Sequence, residues 1–127
     1  MIFNKNMEFT LQQNIIGLYA LMPRDNIKIE IRKLHEWFYE QKQENPDIFG
    51  SLRFDWDGRH PTCKNIDYIH STLRTIGFLK RDFFEKNSYT ISDSCRDYFE
   101  RKMKPFTDKP KTDKIKRLSK SLFDALS

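Results

Sequence analysis

Glycine is scarce in this sequence, with four residues in 127, and none has the spacing of a phosphate-binding loop. Cysteine is scarcer. Cys63 and Cys95 form no CxxC pair, so both read as free thiols of a reducing compartment. No apolar run reaches the roughly 20 residues of a membrane-spanning helix. The opening Met1-Ile2-Phe3-Asn4-Lys5 lacks the apolar core of a secretory signal. These absences place the chain in the cytoplasm and away from membranes. Histidine is sparse and scattered. His35-Glu36 lacks the second histidine of an HExxH motif, and His35, His60 and His70 repeat no ligand spacing. No metal and no cofactor is expected. Cys63 lies near His60, but no third group orients such a pair. Asp55 and Asp57 read as a solvated turn. No catalytic residue is expected, and the chain reads as non-enzymatic.

Aromatic residues and positive charge are plentiful. Eleven Phe, five Tyr and two Trp accompany a formal net charge of +5. Many aromatics in a charged chain imply a small folded core in a strongly solvated shell, not disorder. The length suits one domain with an extension. The charge is uneven. Residues 101–127 hold nine Lys and Arg against three Asp, a net of +6, which leaves −1 for the first hundred. A basic tail on a near-neutral body fits a polyanionic partner, or a helix kept soluble by its charge.

Residues 1–9 are polar apart from Phe3 and Phe9 and read as loosely ordered. Thr10-Leu11-Gln12-Gln13 has the form of a capping box and predicts a helix over 11–22. Gly17 within it marks a close helix contact. Ile27-Lys28-Ile29-Glu30-Ile31 alternates like a strand, yet the spacing continues through Leu34 and Phe38, so length favours a helix over 27–44. Asn45-Pro46 stops it. Trp37 and Tyr39 flank its apolar face. Leu52, Phe54 and Trp56 alternate with Arg53 and Asp55, predicting a half-buried strand near 50–56, and Asp57-Gly58 is a turn.

The stretch from His60 to Ile91 organises the rest. Thr62 is the expected N-cap of a helix over 63–77. Ile66, Ile69, Leu73 and Ile76 line one face of that helix, with His70 at its edge, and Gly77 suits the left-handed residue that ends it. A hairpin follows over 79–91, turning at Glu85-Lys86-Asn87-Ser88. Ser92 then caps a helix over 92–103 that places Cys95, Phe99 and Met103 on one side. The expected fold is α+β: a winged helix-turn-helix domain over 1–103, with Lys64–Ile76 as recognition helix and Leu79–Ile91 as wing. Residues 104–127 form a Pro105–Pro110 linker and a basic amphipathic C-terminal helix capped by Asp113.

The run Phe54-Asp55-Trp56-Asp57-Gly58-Arg59-His60-Pro61 leads into a helix closing Leu73-Arg74-Thr75-Ile76-Gly77-Phe78-Leu79, and Tyr89-Thr90-Ile91-Ser92 starts the next. Together these resemble small prokaryotic winged-helix proteins. There, an aromatic strand and a tight turn lead to a helix closing in an L-x-x-x-G-L pattern. The resemblance covers the middle third to half of the chain. Arg59-His60-Pro61-Thr62-Cys63 replaces the usual small-residue turn. What the resemblance implies is a fold, and a use in DNA binding or transcription regulation that is common but not universal. It fixes no catalytic or ligand residue.

Opposite the core, the recognition helix presents Lys64, Asn65, Tyr68, Ser71, Thr72, Arg74 and Thr75, side chains suited to phosphates or base edges. Asp67 interrupts this face. The wing adds Lys80, Arg81 and Lys86, opposed by Asp82 and Glu85. The leading expectation is a regulator that binds double-stranded DNA. The rival is a protein-interaction module, adaptor or antitoxin-like, docking a partner through Trp37, Phe83 and Phe84. The stripe Ile115, Leu118, Leu122 and Leu126 is too short to stand alone. It predicts either a homodimer through this helix or packing back on the 11–22 helix.

Overall fold

Residues 8–127 are described in the computed structural model, and the expectation of loose order over residues 1–9 lies outside them for all but the last two. The first helix, α1 (Leu11–Ala20), starts as its sequence dictates. The Thr10 hydroxyl accepts the Gln13 N–H at 3.1 Å, and the Gln13 side chain accepts the Thr10 N–H at 3.0 Å. The helix ends two residues before the expected boundary, although Met22 is still buried. A Cβ at Gly17 would stand 3.2 Å from Ile115 Cγ2 and 3.3 Å from Met103 Cε. Glycine therefore lets the C-terminal helix approach closely.

The helix expected over 27–44 is corrected at its start. Asn26–Lys28 forms strand β1, and α2 runs Ile31–Glu44. The alternation of Ile27 and Ile29, both buried, was the better signal. It prevails because β1 finds a partner distant in sequence: Ile27 pairs with Tyr89, antiparallel. Arg96 holds the preceding turn, donating to the Ala20, Met22 and Arg24 carbonyls and to Asp25.

The single strand expected near 50–56 is also corrected. A short helix α3 (Pro46–Phe49) is followed by a small hairpin of β2 (Asp55–Asp57) and β3 (His60–Thr62). Gly58 takes its turn at φ +62°. Leu52 is fully buried, but Trp56 is 57% exposed, so the alternating apolar residues do not share one buried face. Then come α4 (Lys64–Thr75), a hairpin of β4 (Leu79–Arg81) and β5 (Ser88–Ile91), and α5 (Asp93–Tyr98). The Ser92 hydroxyl caps α5 as expected, and Cys95, Phe99 and Met103 are buried together. A π-helical turn (Phe99–Met103) and a 3-10 turn (Lys104–Phe106) lead to α6 (Lys109–Leu126).

The chain is thus a mixed α+β protein. Its main sheet is antiparallel in the order β1-β5-β4. The C-terminal helix is not an appendage. It begins five residues before the expected start, capped by Asp108 rather than Asp113, with Pro110 in its first turn where no donor is lost. Ile115 and Leu122 are 3% and 0% exposed, Leu126 is also buried, Leu118 is half-buried, and α6 packs on α1 and α2. Of the two arrangements the sequence leaves open for this stripe, the fold shows packing back on its own chain, with Leu118 its half-buried member. Buried Ser119 donates to the Leu18 carbonyl and Trp37 Nε1 donates to Ser121 at 3.0 Å, tying α6 down at two further points.

Candidate nucleic-acid interface

The face around α4 is built from the helix ends inward. Cys63, not Thr62, is the N-cap, and it makes no side-chain cap bond. Thr62 is drawn into β3, opposite Asp55. The other end follows the expected form. Gly77 has φ +82°. The Phe78 N–H donates to the Leu73 carbonyl at 2.9 Å and the Gly77 N–H to the Arg74 carbonyl at 3.1 Å. This Schellman closure turns the chain straight into β4. Ile66, Ile69, His70 and Leu73 face the core. Ile76, expected on that face, is instead 49% exposed at the helix end.

Lys64, Asn65, Tyr68, Ser71, Arg74 and Thr75 are exposed, and Thr72 is half-buried. Tyr68 is 72% exposed. At helical spacing, Lys64, Tyr68, Ser71 and Thr75 form the outermost row, with Asn65 and Thr72 on one flank and Asp67 and Arg74 on the other. Two of the hydroxyls are engaged with their own helix: Thr72 donates to the Tyr68 carbonyl at 3.1 Å, and Thr75 to the Ser71 carbonyl at 2.9 Å. The Asn65 side-chain oxygen accepts the Arg53 N–H at 3.3 Å, which links α4 to the chain before β2. Arg74 lines a cavity of about 350 Å³ shared with Asp67, His70, Ile31, Asn87 and Tyr89.

The β4–β5 hairpin stands next to this row. Lys80, Arg81 and Lys86 are all exposed. Its turn is closed by the Asp82 N–H on the Ser88 carbonyl at 2.8 Å, and Asn87 adopts a positive φ of 62°.

The charges on this surface divide into two kinds. Each of its three carboxylates has an internal hydrogen-bond partner. Asp67 meets His35 Nε2 at 2.8 Å, Asp82 accepts the Phe84 N–H at 2.8 Å, and Glu85 accepts the Ser88 hydroxyl at 3.1 Å. Among the described residues, Lys64, Arg74, Lys80, Arg81 and Lys86 form no ion pair. The His35–Asp67 contact spans 32 positions and left no local signal in the sequence.

Beneath α4 lies a buried polar contact that sequence spacing also missed. The Tyr19 hydroxyl and His70 Nε2 are 2.7 Å apart. Burial, with Arg74 and His35 nearby, pushes His70 down to about 3, and burial raises the Tyr19 phenol. Both groups are held neutral, so the pair is a hydrogen bond and not a charge. The two thiols are buried as well. Burial raises Cys63 and pushes Cys95 up to about 12, opposite to what an attacking thiolate needs.

The residues expected to dock a protein partner separate. Trp37 is 4% exposed and lies within the core, which removes it from any docking surface. Phe83 and Phe84 are almost fully exposed. The basic residues Lys116, Arg117 and Lys120 of α6 line a groove with Leu21 and Pro23, past the C-terminal end of α1. Lys64 and Tyr68 lie instead by Thr10 to Gln12, at the other end of α1. These α6 charges are therefore not part of the α4 surface. Among the described residues, no helix is long and apolar enough to cross a membrane. Comparison with protein-family models, curated proteins and solved structures returns no match.

Proposed function

We propose that this chain is a winged-helix protein that binds duplex DNA as a non-enzymatic cytoplasmic regulator. In this reading α4 is the recognition helix and the β4–β5 hairpin is the wing. The order helix, strand, helix, helix, hairpin and the β1-β5-β4 sheet support it. The β2–β3 hairpin is an addition to that plan. The observation that carries the function is the division of charge on this face. Its carboxylates are engaged internally, while its five cations are left for an outside anion. Lys64, Lys80, Arg81 and Lys86 would take phosphates, and Tyr68, Ser71 and Arg74 would face the groove.

A second reading, a protein-docking module on the same fold, is favoured by a different observation: Tyr68, Ile76, Phe83 and Phe84 are all exposed on or beside this face. Titration of random-sequence duplex DNA at increasing salt separates the two. Phosphate contacts supply nearly all non-specific affinity. The DNA reading therefore predicts binding at low salt that weakens steadily as salt rises. No binding at low salt would leave the docking module.

A further inference from the structure

We infer that Phe83 and Phe84 form a wedge that enters the base stack of the bound duplex and kinks it. The inference rests on the DNA-binding reading above and adds a mode of engagement to it. The two side chains are 91% and 100% exposed. Single exposed apolar residues are ordinary, but adjacent fully exposed aromatics signal a surface that becomes covered. The pair sits at the tip of the hairpin, and the tip is pinned. Asp82 holds the Phe84 N–H, Ser88 is bonded to Glu85 through both backbone and hydroxyl, and the Asp82 N–H closes the turn. A held tip presents the rings without the ordering cost of a mobile loop.

Charge selects the occupant. Lys80 and Arg81 precede the tip and Lys86 follows it, all exposed and without ion-pair partners among the described residues. The two carboxylates in the same turn are engaged in its closure. Apolar rings bracketed by cations match a ligand whose apolar planes lie between rows of phosphates. Nucleic acid has that construction, and apolar side chains including Phe are known to unstack base steps where they enter. Only Ile76, Gly77 and Phe78 separate α4 from the hairpin, so one duplex can meet both surfaces.

The test uses the full chain and a short duplex carrying 2-aminopurine beside a flexible TA step, with dyes at its ends for energy transfer. Wild-type protein is expected to raise the 2-aminopurine fluorescence and shorten the end-to-end distance. F83S/F84S should keep salt-dependent binding and lose both signals. F83L/F84L, which keeps the apolar wedge, should retain them. Both substitutions fall on exposed side chains, so the core is untouched. Wild-type binding without unstacking or shortening overturns the wedge and leaves the DNA reading intact. Equal signals from wild type and F83S/F84S overturn it too. Absence of duplex binding overturns both. Capture of wild type but not F83S/F84S by phosphatidylserine vesicles, without duplex distortion, would assign the pair to a membrane surface and overturn the wedge.

Discussion

The helices α4 and α6 are both amphipathic, and both set an apolar stripe into the same core. Their outer faces differ. That of α6 carries Lys116, Arg117 and Lys120, while that of α4 carries mostly hydroxyls, Asn65 and Tyr68, with cations at its margins. Charge density alone would place a polyanion on α6. The surroundings argue otherwise, because α4 alone runs directly into a hairpin with exposed cations at its base and exposed rings at its tip. High charge on a helix keeps its outer face in water, whereas a binding face also needs shape and directed donors.

The seats of the two helices differ as well. That of α6 is largely apolar, and that of α4 includes the Tyr19–His70 hydrogen bond. The sharpest test of the α6 seat is Leu122→Ala. Leu122 is 0% exposed, and emptying such a site costs about 2–5 kcal/mol. Leu118→Ala, at a half-buried site, should cost clearly less. Urea unfolding followed by circular dichroism measures both. Equal, small losses would mean that α6 is not part of the core.

The α4 seat should respond to acid. His70 is held near 3 in the folded chain against an ordinary 6.5. Between those values the unfolded chain binds a proton that the folded chain refuses. Stability should therefore fall as pH drops from 6.5 towards 3, by up to several kcal/mol. Replacing both partners, Tyr19→Phe with His70→Phe, avoids leaving one polar group unpaired and should flatten that part of the profile. Denaturation midpoints across the pH range read the difference. An unchanged slope in the double variant would remove His70 as its source.

The smallest effect concerns the outer faces. Lys64→Ala with Arg74→Ala should weaken duplex binding and lower the salt slope by about one for each phosphate contact removed. Lys116→Ala with Lys120→Ala should leave the slope unchanged. Fluorescence anisotropy at several salt concentrations decides. A larger loss from the α6 pair would assign duplex binding to that helix instead of α4.

What was legible in the sequence was local. The Thr10–Gln13 box, the Ser92 cap, the Gly77 closure and the turn before Ser88 each depend on residues within a few positions of one another. Hydrogen-bond geometry over so short a span is fixed by residue type, and the sequence therefore determined α1, α4, α5 and the β4–β5 hairpin to within a few residues. The buried face of α4 followed from helical period, with Ile76 the exception where the helix ends.

Contacts between distant residues were decided only by the tertiary structure. Ile27 to Ile29 could be written as helix or strand, and β5, some sixty positions on, supplied the hydrogen bonds that made β1 a strand. The α6 stripe could face a second copy or its own domain. Gly17 left the space that let Ile115 settle against α1. Trp37, placed at a helix edge by its spacing, was buried under α6 with its indole N–H satisfied by Ser121. Nothing local to Asp67 shows that its carboxylate meets His35, on another helix, at 2.8 Å. Periodicity specifies which side of a helix is apolar, but not what covers it, because that depends on chain segments whose approach no local rule encodes.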